Sequence, residues 1–244
     1  MTGSDRTPLN SNPGAGSLAD LPEPMALLFD LDGTLVDTVS LRAEGWRRAF
    51  AGIGLDVDPA AILPYMGSDG RWLAGEVARA AGRELDWDAR DELDRSSGAI
   101  FDELNVSPEP LPGATVLLTA LGASGRPFCV ATASQPGQVA VSVRALHLPS
   151  PPTITDAGHV EHAKPAPDLL LAAAAQLGVA APACWYVGDS TWDMIASVRA
   201  GMVGIGVTTG ATDSDGLLAA GAVATIPSLV GLLDDLRRRG VLGG

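Results

Sequence analysis

The chain has 244 residues, of which 46% are hydrophobic and 18% charged, so it can bury a sizeable core without disulfides or a structural metal. Its formal net charge of −13 at pH 7 argues against a nucleic-acid partner, because such binding requires a basic surface. No stretch has the apolar length of a membrane span or the pattern of a secretion signal, so we expect a cytoplasmic protein with no membrane partner. The sequence does not indicate an oligomeric state.

The N-terminal part of the chain contains a polar tail, one strand and a long helical segment. Residues 1–24 are rich in Asn, Ser, Gly and Pro, which predicts a flexible tail. An apolar run at residues 25–29 predicts a buried strand. Residues 38–105 have helical periodicity and no convincing strand, and Asp58, Asp69 and Asp86 indicate helix starts. These features predict a small all-helical unit inserted after the first strand.

The remainder of the chain alternates strands with helices. Strands are predicted at 128–131, 153–155, 184–187, 203–207 and 223–226. Helices are predicted near 114–121, 138–146, 167–177, 191–200 and 228–239. Strands separated by helices of this length imply right-handed crossovers and a parallel sheet covered on both faces. We therefore expect a discontinuous α/β domain, with residues 25–37 and 109–244 joined across a helical insertion at 38–108.

Polar residues follow several of these strands, at the sheet edge where ligands bind in folds of this kind. Asp30 and Asp32 come directly after the first strand, and Thr132 and Asp189 follow two later strands. Two like charges at the end of a buried strand repel each other unless a cation lies between them. The candidate site consists of six residues: Asp30, Asp32, Thr132, Lys164, Asp189 and Asp193.

Converging carboxylates are held by a hard divalent cation, and Mg²⁺ is the natural choice because it keeps positions open for water and phosphate. With phosphate on such a metal, Asp30 is placed to attack phosphorus and form an aspartyl-phosphate. Asp32 would donate a proton to the departing alkoxide and later accept one from water. Lys164 would neutralise charge on the phosphoryl oxygens, and Thr132 with backbone N–H groups of the turn would position them.

Four stretches of the sequence resemble the motifs of the haloacid dehalogenase-like hydrolase superfamily, in the order that the family uses. They are Asp30-x-Asp32-Gly33-Thr34, the strand ending in Thr132, Lys164-Pro165-Ala166-Pro167-Asp168, and Gly188-Asp189-Ser190-x-x-Asp193. The resemblance spans residues 25–235 and implies a Rossmann-like parallel sheet core with an inserted all-helical cap. Caps of this type occur in phosphoglycolate phosphatase-like and β-phosphoglucomutase-like members.

The resemblance also implies a role for each carboxylate. Asp30 would be the nucleophile and a metal ligand. Asp32 would be the general acid/base and would lend the metal its backbone carbonyl. Asp189 would ligate Mg²⁺ directly, and Asp193 either directly or through water. A reading of Asp193 as only a helix cap also remains open.

Three further residues are predicted to bind the substrate. Gly33 lies in the turn after the first strand, and Ser134 could touch phosphate or only satisfy the backbone of its loop. The segment at residues 66–72 is similar to a loop that closes over the active site in related caps. Its Arg71 could bind a substrate anion or form a surface salt bridge. Trp192, within the fourth motif, has no role that the sequence explains.

The leading hypothesis is a Mg²⁺-dependent phosphatase, a phosphoric monoester hydrolase of the phosphoglycolate phosphatase-like type. One alternative is a phosphomutase of the β-phosphoglucomutase type, which is disfavoured because Arg42 lies where related mutases carry a histidine. Another is a catalytically silent binding protein, which is disfavoured because all the candidate residues are present. Dehalogenation is disfavoured because dehalogenating members lack the second carboxylate, Asp32. Phosphoglycolate, sugar phosphates and nucleotide monophosphates all remain open as substrates.

Overall fold

The computed structural model describes residues 18–242, and these residues form one six-stranded sheet. Its strands are β1 (Ala26–Phe29), β2 (Phe128–Ala131), β3 (Thr153–Thr155), β4 (Cys184–Gly188), β5 (Val203–Val207) and β6 (Ala224–Ile226). All neighbouring strands are parallel, and their order across the sheet is β3-β2-β1-β4-β5-β6. The first strand therefore lies at the centre of the sheet, between β2 and β4.

The described residues also form ten α-helices. They are α1 (Val39–Gly52), α2 (Pro59–Ile62), α3 (Gly70–Ala80), α4 (Trp87–Leu104), α5 (Ala114–Ser124), α6 (Pro136–Ala145), α7 (Asp168–Leu177), α8 (Thr191–Ala200), α9 (Ser214–Ala219) and α10 (Leu229–Arg238). The sequence predicts all of them except α9, which has six residues and is too short to show a periodic pattern. None of the helices within 18–242 combines the length and the apolar character needed to cross a membrane.

The central strand is buried on both of its faces. Successive side chains of a strand point to opposite faces, so Leu27 and Phe29 lie on one side of the sheet and Ala26 and Leu28 on the other. The first pair packs in a cluster with α5 and α10, and the second pair in a cluster with α7 and α8. Burial on both faces explains why this strand is a continuous apolar run. The predicted α/β class with a Rossmann-like parallel sheet is confirmed.

Helices α1 to α4 form the helical insertion between β1 and α5. They have a hydrophobic cluster of their own, which includes Phe50, Ile62, Leu73, Val77 and Leu93. The three aspartates predicted to start helices do so: their side chains accept hydrogen bonds from backbone N–H groups at the beginning of α2, α3 and α4. The division of the chain into a core and a cap at residues 38 and 108 stays a prediction.

The residues just before β1 contact the main core. Leu18–Asp20 form a short 3-10 helix, and Leu18 and Leu21 pack against the main core cluster. Arg239 donates hydrogen bonds to the carbonyls of Leu18 and Leu21, at 2.7 and 2.5 Å. These two leucines find apolar partners that the local sequence does not reveal, and the flexible tail at residues 1–24 stays a prediction. Residues 1–17 lie outside the described part of the chain.

Candidate active site

The carboxyl ends of β1, β2 and β4 line a cavity of about 680 Å³, whose other wall is formed by α1, α3 and α4 of the helical insertion. This volume is in the range of typical small-ligand sites. All six candidate site residues lie on the cavity, together with Arg71 and Ser134. The parallel arrangement explains this convergence, because all strands of a parallel sheet end at the same edge.

Three acidic side chains form the centre of the cavity floor, and we refer to Asp30, Asp189 and Asp193 as the carboxylate cluster. Each offers an oxygen within 4.8 Å of the others. Their exposed fractions are only 6%, 4% and 1%. Lys164, 1% exposed, donates hydrogen bonds to Asp30 Oδ1 at 2.6 Å and to Asp193 Oδ1 at 2.7 Å. A single buried ammonium therefore faces three buried carboxylates.

Burial and mutual repulsion disturb the titration of this cluster. Burial raises the pKa of Asp30 to about 7, although the neighbouring Lys164 charge acts in the opposite direction. Burial, with repulsion from Asp193 and Asp30, also raises the pKa of Asp189 well above its ordinary value. For Lys164, burial opposes the charged form, but the charges of Asp193 and Asp30 outweigh it and raise the pKa of the ammonium. Burial and the neighbouring carboxylates therefore favour the neutral forms of Asp30 and Asp189 unless a cation besides Lys164 is supplied.

The hydrogen bonds of the cluster show which oxygens are available to a cation. Asp193 is saturated: Oδ1 accepts from Lys164 and Tyr186, and Oδ2 accepts from the N–H and the hydroxyl of Ser190. In contrast, Oδ2 of Asp30 and Oδ2 of Asp189 accept no hydrogen bond from residues 18–242. Free carboxylate oxygens on buried residues that line a cavity are suited to a hard divalent cation, so the residues present fit Mg²⁺.

Gly33 leaves the space that Asp189 occupies. Its backbone has φ of 82°, and a Cβ at this position would lie 2.5 Å from Asp189 Oδ2. Thr34 holds the same carboxylate by donating a hydrogen bond to Oδ1 at 2.9 Å. The N–H of Gly33 donates to the Val36 carbonyl at 2.8 Å. Gly33 therefore has no free amide with which to bind a substrate, as was predicted for it, and it does not line the cavity.

Asp32 lies beside the cluster rather than within it. Its Oδ1 accepts a hydrogen bond from Thr38 at 2.6 Å, and its Oδ2 accepts from Ser134 at 2.5 Å and from Arg42 at 2.8 Å. Burial acts to raise the pKa of Asp32, but the Arg42 charge and these hydrogen bonds outweigh it and hold the pKa below its ordinary value. In this arrangement Asp32 is an ionised carboxylate.

Arg42 is a site residue that the sequence analysis did not include among the candidates. From α1 it donates hydrogen bonds to Asp32, to Ser134 Oγ at 2.6 Å and to Gln138 Oε1 at 3.3 Å. Its guanidinium lies 3.9 Å from the centre of the Phe101 ring on α4. It therefore joins two helices of the insertion to the loop after β2. The sequence did contain a sign of this role. Arg42 lies four residues after Thr38, and residues four apart share a helix face, so both can reach Asp32.

The remaining predicted residues lie on opposite walls of the cavity. The buried Thr132 hydroxyl accepts the N–H of Ser134 at 3.2 Å and donates no hydrogen bond within the described chain. Ser134 is engaged with Asp32 and Arg42. Arg71 forms the surface-type salt bridge that was one of its two interpretations, with Asp69 Oδ2 at 3.0 Å. It also lines the cavity, so its position is compatible with the substrate role as well.

Trp192 connects the loop of the fourth motif to the helical insertion. Its indole Nε1 donates a hydrogen bond to the Pro64 carbonyl at 3.2 Å. Its ring meets that of Trp72 edge to face at 4.9 Å, and Trp72 in turn contacts Tyr65 at 5.4 Å. The same loop approaches the insertion at Gly67, where a Cβ would lie 2.8 Å from Ser190 Oγ. Trp192 therefore fixes the segment 64–72 against the metal-ligand candidates.

Replacing Trp192 by Ala is expected to speed amide hydrogen exchange in residues 64–72 by about 10-fold or more. The aromatic pair and the hydrogen bond together contribute about 1.5–2.5 kcal/mol to holding this segment closed. Exchange followed by mass spectrometry measures the change. Val198→Ala, a truncation of a 55% exposed residue on the same helix, should leave these rates unchanged. Equal rates in Trp192→Ala and the unmodified protein would show that the contact does not hold the segment.

Comparisons with known proteins agree with this geometry. A sequence model described as haloacid dehalogenase-like hydrolase matches residues 27–207. The chain belongs to this family. This hydrolase is 30% identical over 184 residues to fructose-1-phosphate phosphatase YqaB of Escherichia coli, which covers 74% of this chain and 95% of that protein. It is 30% identical over 201 residues to phosphoglycolate phosphatase of Neisseria gonorrhoeae, covering 80% and 84% of the two chains.

Solved structures show the same architecture. A hydrolase from Pseudomonas syringae has a TM-score of 0.82 and 29% identity, and the match covers 87% of this hydrolase and 98% of that chain. A β-phosphoglucomutase from Clostridium difficile has a TM-score of 0.74 at 20% identity, which shows a common fold only. The family resemblance stated from the four motifs is confirmed.

Proposed function

We propose that this hydrolase is a Mg²⁺-dependent phosphatase that cleaves a small phosphomonoester through an aspartyl-phosphate on Asp30. The observation that carries the proposal is the carboxylate cluster, buried around one ammonium at the carboxyl edge of a parallel sheet. Relatives named as phosphatases of fructose-1-phosphate and phosphoglycolate support phosphate-ester chemistry. The proposed compartment is the cytoplasm, in keeping with two free, buried cysteines.

The donors available in the cavity define how Mg²⁺ would be held. Asp30 and Asp189 would bind it through their free carboxylate oxygens. Asp32 would add its backbone carbonyl, which accepts no hydrogen bond within residues 18–242. Asp193 would act through water, because both of its oxygens are already engaged. When bound, Mg²⁺ would offset the negative charge of the cluster and polarise the phosphoryl group.

In the first step, an Asp30 carboxylate oxygen forms a bond to phosphorus while the ester P–O bond breaks. Lys164, in contact with Asp30, stabilises the charge on the phosphoryl oxygens, and the free Thr132 hydroxyl donates to one of them. Asp32 supplies the proton that the departing alkoxide needs. In the second step, water attacks phosphorus and gives a proton to Asp32, and the bond between Asp30 and phosphorus breaks. Inorganic phosphate leaves, and both carboxyl groups return to their starting states.

Arg42 is proposed to control the protonation of Asp32. An ionised Asp32 that is bonded to Arg42, Thr38 and Ser134 has no proton to donate. The contact with Arg42 must therefore loosen when the substrate binds, and Asp32 must take up a proton from solvent before the first step. A phosphoryl oxygen is a suitable competing acceptor for the guanidinium, because arginine binds phosphate and carboxylate with similar geometry.

No observation favours the alternative, a phosphomutase of the β-phosphoglucomutase type. A mutase cap should supply a base or a proton shuttle. A guanidinium has hydrogen-bond donors and no acceptor, so Arg42 does not supply such a base. The mutase structures similar to this chain are below 25% identity and support the fold alone. A catalytically silent binding protein is disfavoured because the candidate catalytic side chains converge on one cavity.

The proposal is tested by measuring inorganic phosphate released from p-nitrophenyl phosphate, with Mg²⁺ and after its removal by chelation. We expect release with Mg²⁺ and loss of release without it, restored when the metal is added back. Phosphoglycolate and sugar phosphates are assayed in the same way. A protein that released no phosphate from any of these esters, or that isomerised a sugar phosphate without releasing phosphate, would contradict the proposed function.

A further inference from the structure

The cations that line the cavity are all engaged by carboxylates. Lys164 is bonded to Asp30 and Asp193, and Arg42 to Asp32. On the wall formed by the helical insertion, Arg71 pairs with Asp69, and Arg95 with Asp91 and Glu92. Among residues 18–242 no cavity cation is therefore left unpaired to receive a second anionic group on the substrate, beyond the phosphoryl group itself.

One partly buried carboxylate on the same wall has no partner among residues 18–242. Asp94 on α4 is half-buried and lines the cavity, yet no hydrogen bond or ion pair reaches its carboxylate from the described residues. Burial, followed by repulsion from Asp69, raises the pKa of Asp94 above its ordinary value. A polar group that is partly removed from water and lacks a donor is destabilised until a donor is provided. A ligand that donates a hydrogen bond to the Asp94 carboxylate would therefore be stabilised in the cavity.

Arg71 has a hydrogen-bond donor that lacks an acceptor. Its Nε is buried and has no hydrogen-bond partner. Arg71 and Asp94 are close enough for each charge to affect the pKa of the other, but no salt bridge joins them. A group that satisfies both must donate to a carboxylate and accept from a guanidinium. A hydroxyl does both, whereas a carboxylate cannot donate and an ammonium cannot accept.

We propose that Arg71 and Asp94 bind a hydroxyl of the leaving group, so that the preferred substrate is an uncharged polyhydroxylated compound carrying one phosphate, a sugar or polyol monophosphate. The inference rests on the proposed phosphatase function and specifies the substrate class of the same cavity. Phosphoglycolate is disfavoured, because its second anionic group would meet Asp94 without a free cation to offset the repulsion. The cavity volume of about 680 Å³ leaves room for a leaving group of sugar size.

The test compares kcat/KM for a hexitol monophosphate, phosphoglycolate and p-nitrophenyl phosphate in the full chain with Mg²⁺. The unmodified protein is expected to prefer the hexitol monophosphate to phosphoglycolate by about 10-fold or more. Asp94→Ala is expected to lower kcat/KM for the hexitol monophosphate by about 10- to 100-fold more than for p-nitrophenyl phosphate, which has no hydroxyl to place. Asp94→Asn removes the negative charge, so it should reduce the ratio of kcat/KM for the hexitol monophosphate to kcat/KM for phosphoglycolate.

Asp88→Asn is the matched control, because Asp88 is an exposed acid on the same helix, does not line the cavity, and the change removes the same charge. It should leave all three values unchanged. Equal losses on all three substrates in Asp94→Ala, or a preference of the unmodified protein for phosphoglycolate, would overturn the inference while leaving the phosphatase function standing. No phosphate from p-nitrophenyl phosphate in the unmodified protein would overturn the function instead. In that case, calorimetric binding of the hexitol monophosphate, with and without Asp94→Ala, still decides the role of Asp94.

Discussion

Asp30→Asn is expected to lower kcat for phosphate release by about 10⁴-fold or more, the scale seen when a catalytic nucleophile is removed. Asn keeps the size of the side chain but is a poor nucleophile towards phosphorus and cannot form an aspartyl-phosphate. The substitution also removes one of the two free carboxylate oxygens at the proposed metal site. Phosphate release from p-nitrophenyl phosphate with saturating Mg²⁺ measures the effect.

Asp37→Asn is the matched control for this substitution. Asp37 is an exposed acid seven residues further along the same segment, and it does not line the cavity. We expect its activity to equal that of the unmodified protein. A folded Asp30→Asn protein with activity above about a tenth of normal would mean that another group attacks phosphorus, since the loss would then be near 1.4 kcal/mol.

Lys164→Met is expected to lower the free energy of unfolding by about 3–5 kcal/mol, the range for removing one partner of a buried ion pair. Met has a similar length but no charge, so the buried Asp30 and Asp193 would face each other without the ammonium that now lies between them. Urea denaturation in the absence of metal measures the loss. Mg²⁺ should restore part of the stability, because it offers a second cation to the same carboxylates.

Arg199→Met provides the comparison for this loss of stability. Arg199 is exposed and lies near Lys164 in the fold. Among residues 18–242 its guanidinium donates only to the Pro165 carbonyl, at 3.0 Å. The same change of charge there should cost within about 0.5 kcal/mol. If Lys164→Met unfolded with a loss below about 1 kcal/mol, the buried carboxylates would not depend on this lysine for their stability.

Much of the site could be predicted from the sequence, because its geometry follows from the sheet. Asp30, Thr132 and Asp189 each come directly after a strand, and parallel strands bring such residues to one edge. Lys164 and Asp193 join them through loops next to the same edge. The central position of β1, with both faces covered, was also visible as an uninterrupted apolar run.

The residues that were missed depend on contacts between distant segments. Arg42 and Asp94 belong to the helical insertion, and their relation to the cavity is set by how those helices lie over the sheet. Helical periodicity identifies the helices but does not give that orientation. Leu18 and Leu21 were missed for the same reason, since Arg239 holds their segment from the far end of the chain.

Gly33 shows a different limit of sequence reasoning. The turn after β1 indicated a phosphate-binding backbone, whereas the structure uses this glycine to make room for the Asp189 carboxylate. Its N–H is occupied by Val36. A glycine in a motif reports that a side chain would not fit, but the sequence does not say which neighbour requires the space.

The central claim is that phosphate passes through a covalent bond to Asp30. It is tested most directly by mixing the protein with substrate and Mg²⁺, quenching with acid within one turnover and locating the phosphoryl group by peptide mass spectrometry. The account predicts a phosphoryl group on the peptide that contains Asp30, absent from Asp30→Asn and lost on longer incubation as water releases phosphate. Rapid release of phosphate with no phosphorylated peptide, together with inversion of configuration at phosphorus, would contradict it and indicate direct attack by water.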